Sequence, residues 1–424
     1  MNCAELRSDI DRLKEELQAL DEGISAMRGT EAGGKEMRGV IGLVDSDSAD
    51  LALKKYLKDF REQNLDIFSA ITLSERIDAK SDLGIWARVH SVAFVGDNRV
   101  LIGGEWGVLC AGVYDSQGKL TLGKQVDIGY DTRGRMAYIN VVTAIDDTHV
   151  LIGGYNGVLY MGSCDEQGEL TLGERIETWS PDGYGASINA VAVTKGGRIL
   201  IGGERGVFYS GFCNDQGKLE LGDRISIRGG ANITSIAVID EGHVLIGGEE
   251  GVLYVGSYND QGELSFGERI DIRDSSGKPA NVSSIAVADD GHVLIGEDSG
   301  RLYSGFYTQE GLVLNEWVRV KGIDGFSVRV NSIAPINDGR VLVGGGKSAF
   351  YVGSYDSRGE FVLGEPISIR DGNGDLACIY SIAATDDERV LIGGRSSAIY
   401  IGSYGISLET LKQHLPEIAK KGEA

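Results

Sequence analysis

An all-β, seven-bladed β-propeller is the fold class that this sequence predicts, on three observations. One phrase, roughly Val-Leu-Ile-Gly-Gly, recurs seven times, starting at Val100, Val150, Ile199, Val244, Val293, Val341 and Val390. Its spacings of 50, 49, 45, 49, 48 and 49 residues suit a unit of four short strands and exceed leucine-rich and ankyrin periods. Glycine is abundant (63 of 424 residues) and proline scarce (5), as tight turns between strands require and collagen or disordered tracts do not.

Each unit divides into four strands. The first reads like Ser284-Ile285-Ala286-Val287 and the second is the repeated phrase. The third reads like Val252–Tyr258 and the fourth like Leu264–Ile270. Turn signals separate them, Asp-Asp-Gly before the second strand and Asn259-Asp260-Gln261-Gly262 before the fourth. The second strand is apolar on consecutive positions, so both its faces are buried, as in a sheet sandwiched between neighbours. The first strand carries alanine at one register in six units (Ala93, Ala192, Ala237, Ala286, Ala334, Ala383) and Thr143 in the other. The branched residue before each, Val92 to Ile382, is expected to wedge between blades. A glycine lies mid third strand in every unit (Gly112 to Gly402), near a tyrosine in six (Tyr160 to Tyr400) and Cys110 in the first. The expectation there is a tyrosine ring of one blade covering the bare backbone of another. The seventh unit lacks a fourth strand, and a matching segment, Ile71–Asp78, precedes the first unit. The N-terminal strand should therefore close the last blade and remove a free edge.

The order Gly-Gly, then Tyr, then Tyr-Asp-x-x-Gly resembles kelch and WD40-type propeller repeats over about residues 68–404, and is closest to kelch. Only Trp317 occupies the outer-strand tryptophan position of kelch, and the Gly-His and Trp-Asp signatures of WD40 are missing. The resemblance implies a protein-interaction platform; fold does not settle function.

The organisation read from the sequence is a helical stalk over 1–66, the propeller over 67–405, and a C-terminal helix and tail over 406–424. Leu6, Ile10, Leu13, Leu17, Leu20, Ile24 and Met27 fall at spacings of 4, 3, 4, 3, 4 and 3, an a/d heptad that predicts a coiled coil over 4–28 and a homo-oligomer. A second helix is expected over about 48–63, and the C-terminal helix is capped by Ser407.

The formal net charge of −22 disfavours nucleic acid and anionic membrane surfaces as partners. Five cysteines without a CxxC pair, and no secretory signal, predict a reducing, cytoplasmic setting. No catalytic set and no metal or cofactor site can be assembled. Gly344-Gly345-Gly346-Lys347-Ser348 lacks the first glycine of a phosphate loop, and Asp371-Gly372-Asn373-Gly374-Asp375 lacks the later ligands of a calcium loop. His149, His243 and His292 share one register with Arg99, Arg198, Arg340 and Arg389, where pairing with the preceding turn carboxylate is expected.

The informative differences between units lie in two sets of segments that propeller geometry places on one face. Connections between blades carry Trp86, Arg88, Tyr130, Arg133, Trp179, Tyr184, Phe326 and Arg329. Turns after Gly-Gly carry Trp106, Tyr155 and Arg205. These residue types are enriched at binding hot spots. The sequence thus points to a non-enzymatic scaffold that recognises a protein or peptide partner. A lectin-like carbohydrate binder is the alternative, and a lyase or hydrolase a third class without its acid/base set.

Overall fold

The computed structural model describes residues 71–404, apart from 74–75, 80–86, 116–118, 132–133, 215–216, 228, 260–262, 275, 337–338, 357–358, 372–373 and 386–387. The coiled coil with its Leu6–Met27 seam, the second helix, the C-terminal helix, Trp86 and Arg133 lie outside the described residues.

Seven antiparallel sheets follow one another, and the first six run from first to outer strand in chain order. Blade 1 comprises Val89–Val95, Arg99–Gly104, Leu109–Tyr114 and Leu120–Gln125. The first strands of blades 2 to 7 are Ile139–Ala144, Ile188–Val193, Ile233–Val238, Val282–Val287, Val330–Pro335 and Ile379–Ala384. Blade 7 is completed from the front of the chain. Thr72 and Leu73 pair with Ser403 and Gly402, and Ile77 and Asp78 pair with Ile399 and Ala398. The closure expected from the strand count is therefore present.

The core is seven apolar clusters, one between each pair of neighbouring blades. The branched residue of each first strand faces the preceding blade, and in six blades its neighbouring alanine faces the next. Val92 joins the blade 7–blade 1 cluster, for example, while Ala93 packs on the blade 1–blade 2 cluster. The wedge is received by the first glycine of the Gly-Gly phrase. A Cβ on Gly393 would lie 2.6 Å from Val89 Cγ1 and 2.8 Å from Val92 Cγ1. Gly153 faces Ile188, Gly202 faces Ile233 and Ile236, and Gly344 faces Ile379 and Ile382 in the same way. The glycine is a socket, and the β-branched side chain of the next blade fills it.

The tyrosine expectation needs correction. The third-strand glycine meets its own blade's outer strand, as Gly112 meets Leu120 and the Thr121 carbonyl. The tyrosine instead latches a backbone connection. The hydroxyls of Tyr160, Tyr303 and Tyr351 donate to the carbonyls of Ile128, Arg273 and Lys321, at 3.4, 3.2 and 2.7 Å. Tyr400 does the same to Arg370.

The shared basic register forms a second set of ties, on the face of the turns between first and second strands. The three histidines do approach the expected carboxylates, His149 to Asp146 at 2.8 Å, His243 to Asp240 at 2.9 Å and His292 to Asp290 at 2.8 Å. They also reach the next blade. The His292 ring stacks 3.8 Å from Tyr355, and His243 lies 5.0 Å from Tyr307. The arginines reach the next blade as well. Arg198 sits 4.4 Å over Tyr258, Arg340 donates to the Tyr404 carbonyl at 2.7 Å, and Arg99 donates to that of Cys164 at 2.7 Å.

Candidate functional site

The connections between blades and the turns after Gly-Gly share one face, the loop face. Their backbones are joined there, Glu105 N–H to Arg88 carbonyl, Tyr155 to Tyr138, Glu204 to Ser187, Glu249 to Asn232 and Arg395 to Cys378, all at 2.9–3.0 Å. Five of the connections are small hairpins with one backbone plan, pinned by bridges Tyr130–Met136, Trp179–Gly185, Arg273–Pro279, Lys321–Ser327 and Arg370–Leu376. At each tip a glycine with positive φ precedes a different side chain: Arg135, Tyr184, Lys278, Phe326 and Asp375. The segment resembling a calcium loop is the last of these. The Asp371 carboxylate accepts the Asp375 N–H at 3.1 Å and the Ser396 hydroxyl at 3.1 Å, as the hairpin requires.

The turns after Gly-Gly are strained. Trp106, Asn156, Arg205 and Glu250 have φ of +56, +52, +57 and +57°, each followed by a glycine of positive φ. This is a mirror-image hairpin turn that suits Asn-Gly; only blade 2 supplies it. A tryptophan, arginine or glutamate held there costs about 1–2 kcal/mol. Glu250→Asn should therefore stabilise the protein by about 0.5–1 kcal/mol, because Glu250 is exposed and its turn would then match Asn156-Gly157. An unchanged denaturation midpoint would contradict the strain. Such strain collects where a side chain is wanted for another purpose.

Trp106 stands at a cleft of about 430 Å³ that it lines together with Met136, Tyr138 and Tyr155 and with Asp131, Arg135, Asn156, Ser187 and Glu204. Blades 1, 2 and 3 all contribute. The rings form a ladder, Trp106 edge-on to Tyr138 at 5.3 Å and Tyr138 tilted against Tyr155 at 5.6 Å. Trp106 and Tyr155 remain 39% and 37% exposed. The polar floor is satisfied from within. Buried Asp131 accepts Asn156 Nδ2 at 2.7 Å and Arg135 Nε and Nη2 at 3.1 Å. The Asn156 N–H donates to Ser187 Oγ at 3.1 Å. The half-buried Glu204 differs: its carboxylate has no hydrogen-bond or ion-pair partner among the described residues.

The other residues singled out in the sequence lie on the same face but are dispersed around it. Exposed Trp179 takes the Tyr209 hydroxyl through its backbone, and Arg205 pairs with Asp182 on the tip carrying Tyr184. Phe326 lies under Lys347 Nζ at 5.3 Å, two blades short of closure. Arg88 pairs with Glu105 at 3.5 Å; Tyr130 and Arg329 are exposed. Of that set's described residues, Trp106 and Tyr155 share the cleft. Tyr138, Asp131, Arg135, Asn156, Ser187 and Glu204 were missed.

A second feature was missed altogether. All seven first strands carry a β-bulge, and the bulged residues are His90, Asn140, Asn189, Thr234, Ser283, Asn331 and Tyr380. A bulge re-aims its side chain. Each of these reaches the next inner strand. Asn140 Nδ2 donates to the Ile188 carbonyl at 3.1 Å, Asn189 Nδ2 to Ile233 at 3.1 Å, Ser283 Oγ to Val330 at 2.6 Å and Asn331 Nδ2 to Ile379 at 2.7 Å. Thr234 donates to Val282, His90 bonds to Ile139 and Asn140, and the Tyr380 ring meets His90 at 5.8 Å to close the belt.

Burial pushes the His90 imidazole below its ordinary value, with Glu105 opposing and Arg88 assisting. The native state thus favours neutral His90, while the unfolded chain takes up a proton near pH 6.5. Acidification below that point favours the unfolded state, and the loss continues down through the native pKa. Melting followed from pH 7 to pH 5 should fall more steeply in the native sequence than in His90→Gln. Parallel curves would remove His90 from the acid response.

Among the described residues no group of three or more His, Cys, Asp or Glu is placed to hold a metal ion, and no helix is long and apolar enough to cross a membrane. No family model and no curated protein sequence matches the chain. Solved structures do. A protein from Lactobacillus plantarum is similar with a TM-score of 0.54 and 14% identity, over 65% of this chain and 84% of that one. Raptor from Chaetomium thermophilum is similar with a TM-score of 0.56 and 16% identity, over 80% of this chain but only 30% of that one. At such identities the likeness carries the fold alone: this chain is a seven-bladed β-propeller.

Proposed function

We propose that this chain is a non-enzymatic binding propeller that recognises a protein or peptide partner on its loop face, centred on the cleft between blades 1, 2 and 3. One observation carries the reading. Trp106 occupies a turn position that disfavours it, and its ring stands in an aromatic ladder over a floor whose polar groups are already paired. That arrangement is preorganised, which lowers the ordering cost of binding. It favours a peptide over a sugar, because, Glu204 apart, a floor satisfied from within offers few partners for hydroxyls. The heptads at the N-terminus would present several rings together and raise avidity.

A displayed random-peptide library selected on the purified protein tests the reading. Enriched peptides should lose affinity about tenfold or more on Trp106→Ala and Tyr155→Ala, hot-spot losses above about 1.4 kcal/mol. Peptides held equally by both variants, or glycan-array binding that depends on Trp106 instead, would overturn it. Deleting residues 1–30 should lower the mass seen by light scattering while the ring still melts cooperatively. An unchanged mass would remove the coiled coil.

A further inference from the structure

Resting on the reading that the loop face binds a peptide, we infer that the cleft between blades 1, 2 and 3 takes a basic side chain of that partner, its guanidinium or ammonium group set between the aromatic ladder and Glu204. Three independent observations converge. The first is the ladder of Trp106, Tyr138 and Tyr155, whose ring faces attract a cation.

The second is the charge inventory of the lining. Asp131 and Arg135 neutralise each other through two contacts of 3.1 Å. Glu204 is then the remaining charge on the wall, and its carboxylate is unpartnered among the described residues. Glu105 lies outside the lining and is engaged by Arg88 at 3.5 Å and His90 at 3.7 Å. Arg175 does not line the cleft, and it donates to the carbonyls of Gly157, Tyr130 and Asn156.

The third observation is positional. The Glu204 N–H is fixed to the Ser187 carbonyl at 2.9 Å, and the Asn156 N–H is fixed to the Ser187 hydroxyl at 3.1 Å. Ser187, itself buried, therefore holds the backbone of Glu204 in blade 3 beside the turn that carries Tyr155 of blade 2. A half-buried, unpartnered carboxylate in the same lining as aromatic rings gains charge-assisted hydrogen bonds from a cation seated there. The chain's net charge of −22 steers basic segments toward it. A planar guanidinium fits such a setting best, stacking on a ring while its fork addresses the carboxylate.

The test uses the full chain and two probes, a capped Gly-Arg-Gly peptide and the same peptide with citrulline, the neutral isostere of arginine. Binding is read from the Trp106 indole N–H signal, assigned by its loss in Trp106→Phe. The arginine peptide should bind at least about tenfold more tightly than the citrulline peptide. Glu204→Gln should erase that preference, while Glu310→Gln, an exposed acid of blade 5, should leave it intact. Equal binding of the two probes overturns the inference. So does a Glu204→Gln protein that keeps the preference, an equal loss in Glu310→Gln, or the absence of any response at Trp106. Selected peptides that depend on Trp106 but not on Glu204 would sink the cation and leave the peptide reading standing.

Discussion

Replacing Gly344 by valine should destabilise the protein by about 3 kcal/mol or more, or prevent folding outright. A Cβ there would stand 2.6 Å from Ile379 Cγ2 and 2.9 Å from Ile382 Cδ1, both from the next blade. Ile379 is fully buried, so neither side chain can turn into solvent. The blades would have to part, and dry interfaces are close-packed. Gly267→Ala is the control: it is exposed, and its nearest neighbour would be the Val255 carbonyl at 3.4 Å, so a change within about 0.5 kcal/mol is expected. Truncating the wedge while filling the socket, Gly344→Ala with Ile379→Ala, should cost less than the two changes summed, because the Ile379 Cγ2 that the new methyl would meet is then gone. Additive losses in chemical denaturation would mean that socket and wedge do not act together.

Removing the closing strand should have an effect of similar size spread over the whole ring. A chain that begins at residue 80 loses Leu73, Ile77 and Ala79 from the blade 7 interfaces and exposes the edge of Ala398–Ser403. Burying an aliphatic side chain is worth about 1.5–3 kcal/mol, and whole domains are stable by only about 5–15 kcal/mol. A chain that begins at residue 70 is the fair comparison, since it lacks the heptads but keeps the strand. The shorter chain should melt at a distinctly lower temperature and associate through its open edge. Coincident melting curves would show that closure contributes nothing.

The fold was legible because each repeat states it seven times. Gly-Gly beside a β-branched residue in the next unit, and a fourth strand missing at one end but present at the other, leave little freedom in topology. The glycine–tyrosine relation was misassigned: the two stand two places apart and share a sheet face, yet the glycine meets its own outer strand while the tyrosine hydroxyl reaches a connecting segment. The belt of His90, Asn140, Asn189, Thr234, Ser283, Asn331 and Tyr380 had a signal that went unread, one polar residue two places before each branched one. Strict alternation hides it, since a bulge breaks the two-residue period at that point. The cleft was half visible. Trp106 and Tyr155 stand out as aromatic residues in turns, but Tyr138 and Ser187 sit in connections, and Glu204 is an ordinary acid until its surroundings are known. Which blades bring their turns together is a property of the ring.

The five hairpins between blades have a consequence for how specificity can change. Their backbones are held by the same carbonyl and amide contacts, while the residue after each tip glycine is arginine, tyrosine, lysine, phenylalanine or aspartate. Arg135 pairs with buried Asp131, while Tyr184, Lys278, Phe326 and Asp375 stand exposed at the surface. Exchanging it, or moving it from one gap to another, re-specifies the surface without disturbing the sheets, so new affinities can be reached by single substitutions on an indifferent frame.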